Sequence, residues 1–280
     1  MTDNPHNRLS FIFACAMIIF IGVIAAQNLP VFKPYYQAIR NYVSGNITNI
    51  SPITNISPDA DGKNYQNKAP KTSVTYDDAQ AQLRQQRVQL ASTYNVANST
   101  TEKQAIIEQA RASFITSITT LLPYWYGTPW DFNGASNTPQ QGHIACGYYV
   151  STVLRDAGLD IERNKLAQQA SENIIKSLTD DAHIKRFSDQ SIDDFLAVVD
   201  EWGAGLYVVG LDYHVGYLWH DGQQMHFIHA TGLPPRSALS EPAETSPALT
   251  HSRYRVIGKI SDDDKLIEKW LLQTAITTKT

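Results

Sequence analysis

The chain contains very few cysteines: among its 280 residues, only Cys15 and Cys146 carry a thiol. It has no paired C-x-x-C motif and no H-E-x-x-H motif, which argues against the common zinc sites. Gly-rich nucleotide-binding loops of the G-x-G-x-x-G or P-loop type are also absent. We therefore expect neither a metal nor a cofactor.

Long runs of one charge are missing as well. The formal net charge is −4, from 23 basic and 27 acidic residues, and these are spread along the chain. A nucleic-acid-binding surface needs clustered Lys and Arg side chains. The sequence consequently predicts no nucleic-acid partner, and its composition is that of a globular protein.

One stretch near the start, residues 9–26, has no charged side chain at all. Its length lies between the apolar core of a signal peptide and the shortest membrane-spanning helix. Residues 1–30 are therefore predicted to be a cleaved signal peptide or an uncleaved membrane anchor. The rest of the chain would be exported, either to the periplasm or to the cell envelope, with possible anchoring in the inner membrane through residues 9–26.

Two further segments precede the expected core. Residues 31–75 include a tandem I-T-N-I-S-P repeat at 47–58 and many Pro, Asn and Ser residues, a composition typical of a flexible linker. Residues 76–122 form a predicted helical extension, in which Ser99 and Glu102 make a capping box. Whether this extension inhibits, guides or supports the remaining domain is left open by the sequence.

Residues 123–275 are predicted to form an α+β domain, because helical patterns come first and short β-rich segments follow. A terminal helix follows the last of these segments, with Ser261 as its expected cap. A D-G-Q-Q turn predicts a hairpin between two of the strands. One predicted helix begins near Ala145, and two others cover 164–178 and 191–202. A further strand is predicted over 254–260.

Cys146 would be an unpaired thiol in an oxidising compartment, where such a group is either buried and inert or used in chemistry. It lies at the predicted start of a helix, whose free N–H groups and dipole favour a thiolate. A nearby imidazole would lower the thiol pKa further. His214 and His229 are the best candidates, since strand alternation could bring both rings to one face of a hairpin.

Four segments resemble the NlpC/P60 cysteine peptidases. They are G-T-P-W-D-F-N-G at 127–134, A-C-G-Y-Y-V at 145–150, H-V-G-Y-L at 214–218 and F-I-H-A at 227–230. The resemblance covers roughly residues 123–260. It implies a papain-like fold, in which the cysteine-bearing helix packs on an antiparallel sheet.

The same resemblance implies an activity and three roles. Cys146 matches the nucleophile, His214 the base and His229 the residue that orients the base. Peptidases of this family cleave amide bonds in the stem peptides of peptidoglycan, and an acyl-thioester would form on the cysteine. The expected partner is therefore a cell-wall peptide.

The match is not complete around the nucleophile, where Ala145 stands in place of the family's usual Asp and Trp130 in place of a Tyr. We expect Trp130, Gln141 and Tyr148 to contact the substrate. Gln140 or Gln141 could supply the second donor to the oxyanion, beside the backbone N–H of Cys146. His143 would line the groove.

Two other functions remain open from the sequence. The chain could be a non-catalytic module that binds the cell wall through its aromatic groove. It could also keep the nucleophile and act as an amidase, deamidase or transferase on lipid or protein amides. The remaining histidines His220, His226 and His251 are expected to be exposed.

Overall fold

The computed structural model describes residues 65–280. The predicted signal or anchor segment and residues 31–64 of the predicted linker lie outside the described residues. In the described part of the chain, no helix combines the length and the hydrophobicity that a membrane crossing requires.

Residues 65–280 form an α+β structure with six antiparallel strands and eight α-helices. The helices are α1 Tyr76–Val96, α2 Thr100–Leu121, α3 Cys146–Asp156, α4 Arg163–Ala167, α5 Ser171–Leu178, α6 Ile192–Trp202, α7 Pro247–Thr250 and α8 Asp264–Leu272. The strands are β1 Ile184–Ser188, β2 Gly205–Leu211, β3 Val215–His220, β4 Met225–Ala230, β5 Ala238–Pro242 and β6 Tyr254–Gly258. The predicted α+β class is confirmed.

The sheet is open, with strand order β1-β6-β2-β3-β4-β5. β3, β4 and β5 therefore lie side by side at one end of the sheet, and β5 is the last strand at that end. Pro242 fits this position because a proline cannot donate to a second neighbouring strand. Beyond β5, Gln66 makes two backbone hydrogen bonds of 2.7 and 2.9 Å with Ser240, so this part of the predicted linker follows the sheet edge.

Helices cover both faces of the sheet. Phe195 and Val199 of α6 belong to the same buried apolar cluster as Leu218 of β3. Tyr217 precedes Leu218 and so points to the opposite face, where its hydroxyl donates to the Val150 carbonyl of α3 at 2.7 Å. The cysteine-bearing helix is therefore fixed to the middle of the sheet on the face away from α6.

The helical extension packs closely against the rest of the structure. The Tyr76 hydroxyl at the start of α1 donates to Asp156 at 2.9 Å and accepts from Trp125 Nε1 at 3.1 Å. In α2, the Phe114 ring contacts Trp270 edge to face, with 5.6 Å between ring centroids. Its N-terminus carries the predicted capping box. Helices α1 and α2 thus share a core with α3 and α8.

Several sequence predictions of local structure need correction. The single helix expected over 164–178 is two helices, α4 and α5, because the chain leaves helical geometry after Ala167. The cap of α8 is Asp263 and not Ser261, since its carboxylate accepts from the N–H groups of Lys265 and Leu266. Strands β1 and β5 were not predicted. The hairpin turn between β3 and β4 is confirmed.

Candidate active site

Cys146 is the first residue of α3, and its side chain is half-buried. The first hydrogen bond of the helix runs from Tyr149 N–H to the Ala145 carbonyl at 2.8 Å. The N–H groups of Cys146 and Gly147 therefore lie outside the helical ladder. These two N–H groups, together with the backbone N–H of Val215, act to lower the pKa of the Cys146 thiol.

The contact with Val215 places the sulfur beside the residue that follows His214. β2 and β3 are joined by a tight turn, in which Leu211 N–H donates to the His214 carbonyl at 2.8 Å. The pairing between β3 and β4 begins only at Tyr217 with Ile228. Val215 lies beyond this pairing, and its N–H is close enough to the sulfur to lower the thiol pKa.

His214 and His229 lie side by side where the pairing of β3 with β4 ends. The distance from His214 Nε2 to His229 Nδ1 is 2.7 Å, and the two ring centroids are 4.9 Å apart. Because His229 occupies the Nε2 atom of His214, the Nδ1 atom is the ring nitrogen left without a hydrogen bond among the described residues. The structure brings the two rings together as strand alternation predicts. Within residues 65–280, no hydrogen bond joins the Cys146 sulfur to either ring, and the groups that act on the thiol pKa are backbone N–H groups.

Glu241 extends this chain of side chains and was not among the predicted residues. Its Oε1 atom lies 3.1 Å from His229 Nε2, and the residue is 9% exposed. In the pairing of β4 with β5, Phe227 is opposite Glu241, which puts Glu241 on the same face as His229. The sequence signal for this strand is the short A-L-S-E-P segment, and its terminal proline argues against a central strand.

Burial is the largest cause of the pKa shifts of Cys146 and His214. The pKa of the Cys146 thiol is raised by burial, although three backbone N–H groups act in the opposite direction. Burial and the neighbouring His229 hold the pKa of His214 well below its usual range. The thiol pKa is therefore shifted in the direction opposite to the expected lowering.

Trp130 packs between the segment before Cys146 and the loop after His229. Its backbone bridges Ile144, and a Cβ placed on Gly232 would lie 3.1 Å from its indole ring. The Arg236 guanidinium lies over the same ring at 5.2 Å from the centroid. Trp130 is thus packed between these two segments, and its contact with a substrate stays a prediction.

Gln140 cannot supply the oxyanion donor that the sequence suggested. Its side-chain amide donates to the carbonyls of Tyr124 and Tyr126, each at 2.9 Å. Gln141 is exposed and lines a surface cavity with His143 and other residues of the same loop. Of the two glutamines, only Gln141 keeps a side chain available to a ligand.

Tyr148 is held by the segment around α4. The Arg163 guanidinium lies over its ring at 4.8 Å, and its hydroxyl accepts from Gln168 Nε2 at 3.1 Å. Next to it, a Cβ on Gly147 would lie 2.2 Å from the Ala167 carbonyl oxygen. This close approach explains why glycine follows the cysteine here, where the NlpC/P60 pattern has serine.

Two histidines that were expected on the surface are buried. His220 is 3% exposed and lies 3.1 Å from Asp200, while His226 is 2% exposed. Another group, Asp180, His183 and Asp263, has potential metal-ligand atoms within 4.8 Å of one another. Its carboxylates already bind His183, Thr179 and the start of α8, and these bonds account for the cluster.

Comparisons with known proteins add no relative. No protein-family model matches the chain, and neither a curated protein nor a solved structure matches it. The functional interpretation therefore depends on the geometry around Cys146 and on the motifs quoted above.

Proposed function

We propose that this protein is a cysteine hydrolase of papain-like, NlpC/P60-like architecture that cleaves amide bonds. The observation that carries the proposal is the position of the Cys146 sulfur at a helix start, against the backbone next to His214, with His229 hydrogen-bonded to the His214 ring. A nucleophile, a base and a residue that orients the base are the three parts that such a reaction needs.

The raised pKa of the Cys146 thiol and the lowered pKa of His214 favour a proton transfer that accompanies attack, instead of a preformed thiolate. His214 Nδ1 takes the thiol proton while the sulfur adds to the substrate carbonyl. The backbone N–H of Cys146 donates to the developing oxyanion. The C–N bond then breaks, His214 returns the proton to the leaving amine, and an acyl-thioester remains on Cys146.

Water completes the cycle. His214 takes a proton from the water as its oxygen adds to the thioester carbonyl. The C–S bond breaks, the carboxylic acid leaves, and the proton returns to the Cys146 sulfur. All of these steps use one nitrogen, His214 Nδ1, because the other nitrogen of the ring is bound to His229.

For the substrate we propose the stem peptides of peptidoglycan. The NlpC/P60-like motifs support this class, and so does the predicted export of the chain to the periplasm or cell envelope. Residues 9–26 would serve as a signal or as an inner-membrane anchor. Trp130, Gln141 and Tyr148 are the proposed contacts of the peptide.

A digestion of purified peptidoglycan tests this function. We expect the wild-type chain to release peptide fragments identified by mass spectrometry, and Cys146→Ala to release about 1,000-fold less or none. Cys15→Ala is the matched control, because it removes the only other thiol and should retain full turnover. Equal release by Cys146→Ala would overturn the hydrolase proposal.

The raised pKa of the thiol favours one alternative, a non-catalytic module that binds the cell wall. In that case wild-type protein and Cys146→Ala would sediment equally with peptidoglycan and neither would release fragments. Cleavage of lipid or protein amides without any cleavage of the wall would instead support the amidase or transferase alternative. The digestion, the sedimentation and an assay on lipid or protein amides together separate the three functions.

A further inference from the structure

The side chain of Glu241 is a buried carboxylate that is hydrogen-bonded to His229. Its carboxylate is 11% exposed and lies 3.1 Å from His229 Nε2. In the described part of the chain, its hydrogen bond is with His229 and not with a Lys or Arg. Burying a carboxylate costs free energy unless a donor meets it, so the contact with His229 is the one that keeps it there.

An ionised carboxylate only accepts hydrogen bonds. His229 Nε2 must therefore carry a proton and donate to Glu241. A neutral imidazole has one N–H and one lone pair, so His229 Nδ1 is then an acceptor. The contact of 2.7 Å between His229 Nδ1 and His214 Nε2 consequently requires the proton on His214 Nε2. The lone pair of His214 is left on Nδ1.

We propose that Glu241 is a positioning residue that fixes the proton positions on both histidine rings, so that His214 Nδ1 is the basic nitrogen. This inference rests on the proposed function, because a lone pair on Nδ1 matters only if it accepts the Cys146 proton. Without the carboxylate, His229 can carry its proton on Nδ1 and donate to His214 Nε2. His214 would then carry its own proton on Nδ1 and could not act as a base.

The carboxylate also supports the charged state that follows. When His214 Nδ1 accepts the thiol proton, its Nε2–H continues to donate to His229, and His229 continues to donate to Glu241. The chain of hydrogen bonds keeps its direction while the ring becomes positive. Its negative end lies at Glu241, where it stabilises the imidazolium.

The tautomers can be measured directly on the full chain labelled with ¹⁵N-histidine. Long-range ¹H–¹⁵N spectra at neutral pH should show both His214 and His229 protonated on Nε2. The spectra are assigned with His214→Gln and His229→Gln. A wild-type spectrum with His214 protonated on Nδ1 overturns the inference, whatever the activity of the protein.

Activity measurements on variants form the second test. Glu241→Leu should lower kcat by about 100-fold or more with little change in KM, since wrong tautomers remove the base and leave binding intact. Glu241→Asp should recover part of the activity and the wild-type tautomers. Glu244→Gln is the control, because Glu244 is exposed and lies three positions away in the same segment.

The outcomes separate this inference from the proposed function. Unchanged kcat and unchanged tautomers in Glu241→Leu overturn the role of Glu241 and leave the hydrolase proposal standing. Turnover by Cys146→Ala overturns the hydrolase proposal, while the tautomers of the wild-type chain still report on Glu241. If Glu241→Leu does not fold, the wild-type spectrum alone decides.

Discussion

Gly216 leaves the space that the His229 side chain occupies. A Cβ built on Gly216 would lie 2.8 Å from the Cβ of His229 and 2.8 Å from the Phe227 ring. Real side chains do not approach so closely, so any larger residue here must displace His229 or Phe227. The glycine of the H-V-G motif is thereby a steric requirement of the histidine pair.

Gly216→Ala is therefore expected to reduce turnover. Overpacking costs about 1–3 kcal/mol of stability, and a displacement of the ring by about 1 Å can cost on the order of 100-fold in rate. Steady-state kinetics and urea unfolding measure the two effects separately.

The control for this substitution is Gly258→Ala, where a Cβ would lie 2.5 Å from Ile175 in α5. It imposes a similar steric conflict away from the histidine pair. We expect a comparable loss of stability with turnover close to that of the wild type. Equal turnover in Gly216→Ala and Gly258→Ala would show that the position of His229 does not depend on Gly216.

Buried neutral histidines should make the fold sensitive to acid. The pKa of His226 is lowered, chiefly by burial, while Asp221 and Glu244 act in the opposite direction. As the pH falls through about 6.5, the unfolded chain gains a proton at this residue before the folded chain does. The free energy of unfolding then falls as the pH falls, by at most about 1.4 kcal/mol per pH unit for each such group.

Urea unfolding between pH 7 and pH 5 tests the contribution of His226. The variant His226→Gln should lose less stability over this range than the wild-type chain does, because one titrating group is gone. His251→Gln replaces an exposed histidine and should keep the wild-type dependence. An identical pH dependence in all three proteins would contradict the lowered pKa of His226.

The hydroxyl of Tyr76 joins the helical extension to the cysteine-bearing helix. Tyr76→Phe removes the donor to Asp156 and the acceptor of Trp125 Nε1. We expect a loss of about 1–3 kcal/mol of stability, measured by thermal or urea unfolding.

Tyr213→Phe serves as the comparison for this substitution, since Tyr213 is 99% exposed and its change should stay within about 0.5 kcal/mol. Wild-type stability in Tyr76→Phe would indicate that the start of α1 contributes little to the fold. A large loss would instead mean that residues 76–122 support the domain structurally.

Local patterns in the sequence were sufficient for the elements that carry the histidines and the cysteine. The apolar spacing after Ala145 predicts α3, and alternation along β3 and β4 predicts that His214 and His229 share a face. These features depend on residues close together in the chain, where helix and strand periods are informative. The approach of α3 to Val215 follows from tertiary packing and has no such local signal.

Other parts of the site could not be predicted for identifiable reasons. Glu241 belongs to an edge strand too short to show a period, and its partner is reached only through the register of β4 with β5. Gln140 is fixed by the carbonyls of Tyr124 and Tyr126, which the fold alone brings near. The direction in which the thiol pKa shifts depends on burial, and a sequence motif does not show how buried a side chain is.

The central claim is that His214 activates Cys146, and the rate of covalent labelling tests it most directly. A stem-peptide analogue with a vinyl sulfone group reacts by forming a thioether with an activated cysteine, and intact-mass spectrometry follows the adduct. The wild-type chain should gain one probe, mapped to Cys146. His214→Gln should react about 100-fold more slowly, and His251→Gln at the wild-type rate. Equal rates for the wild-type chain and His214→Gln would contradict the claim.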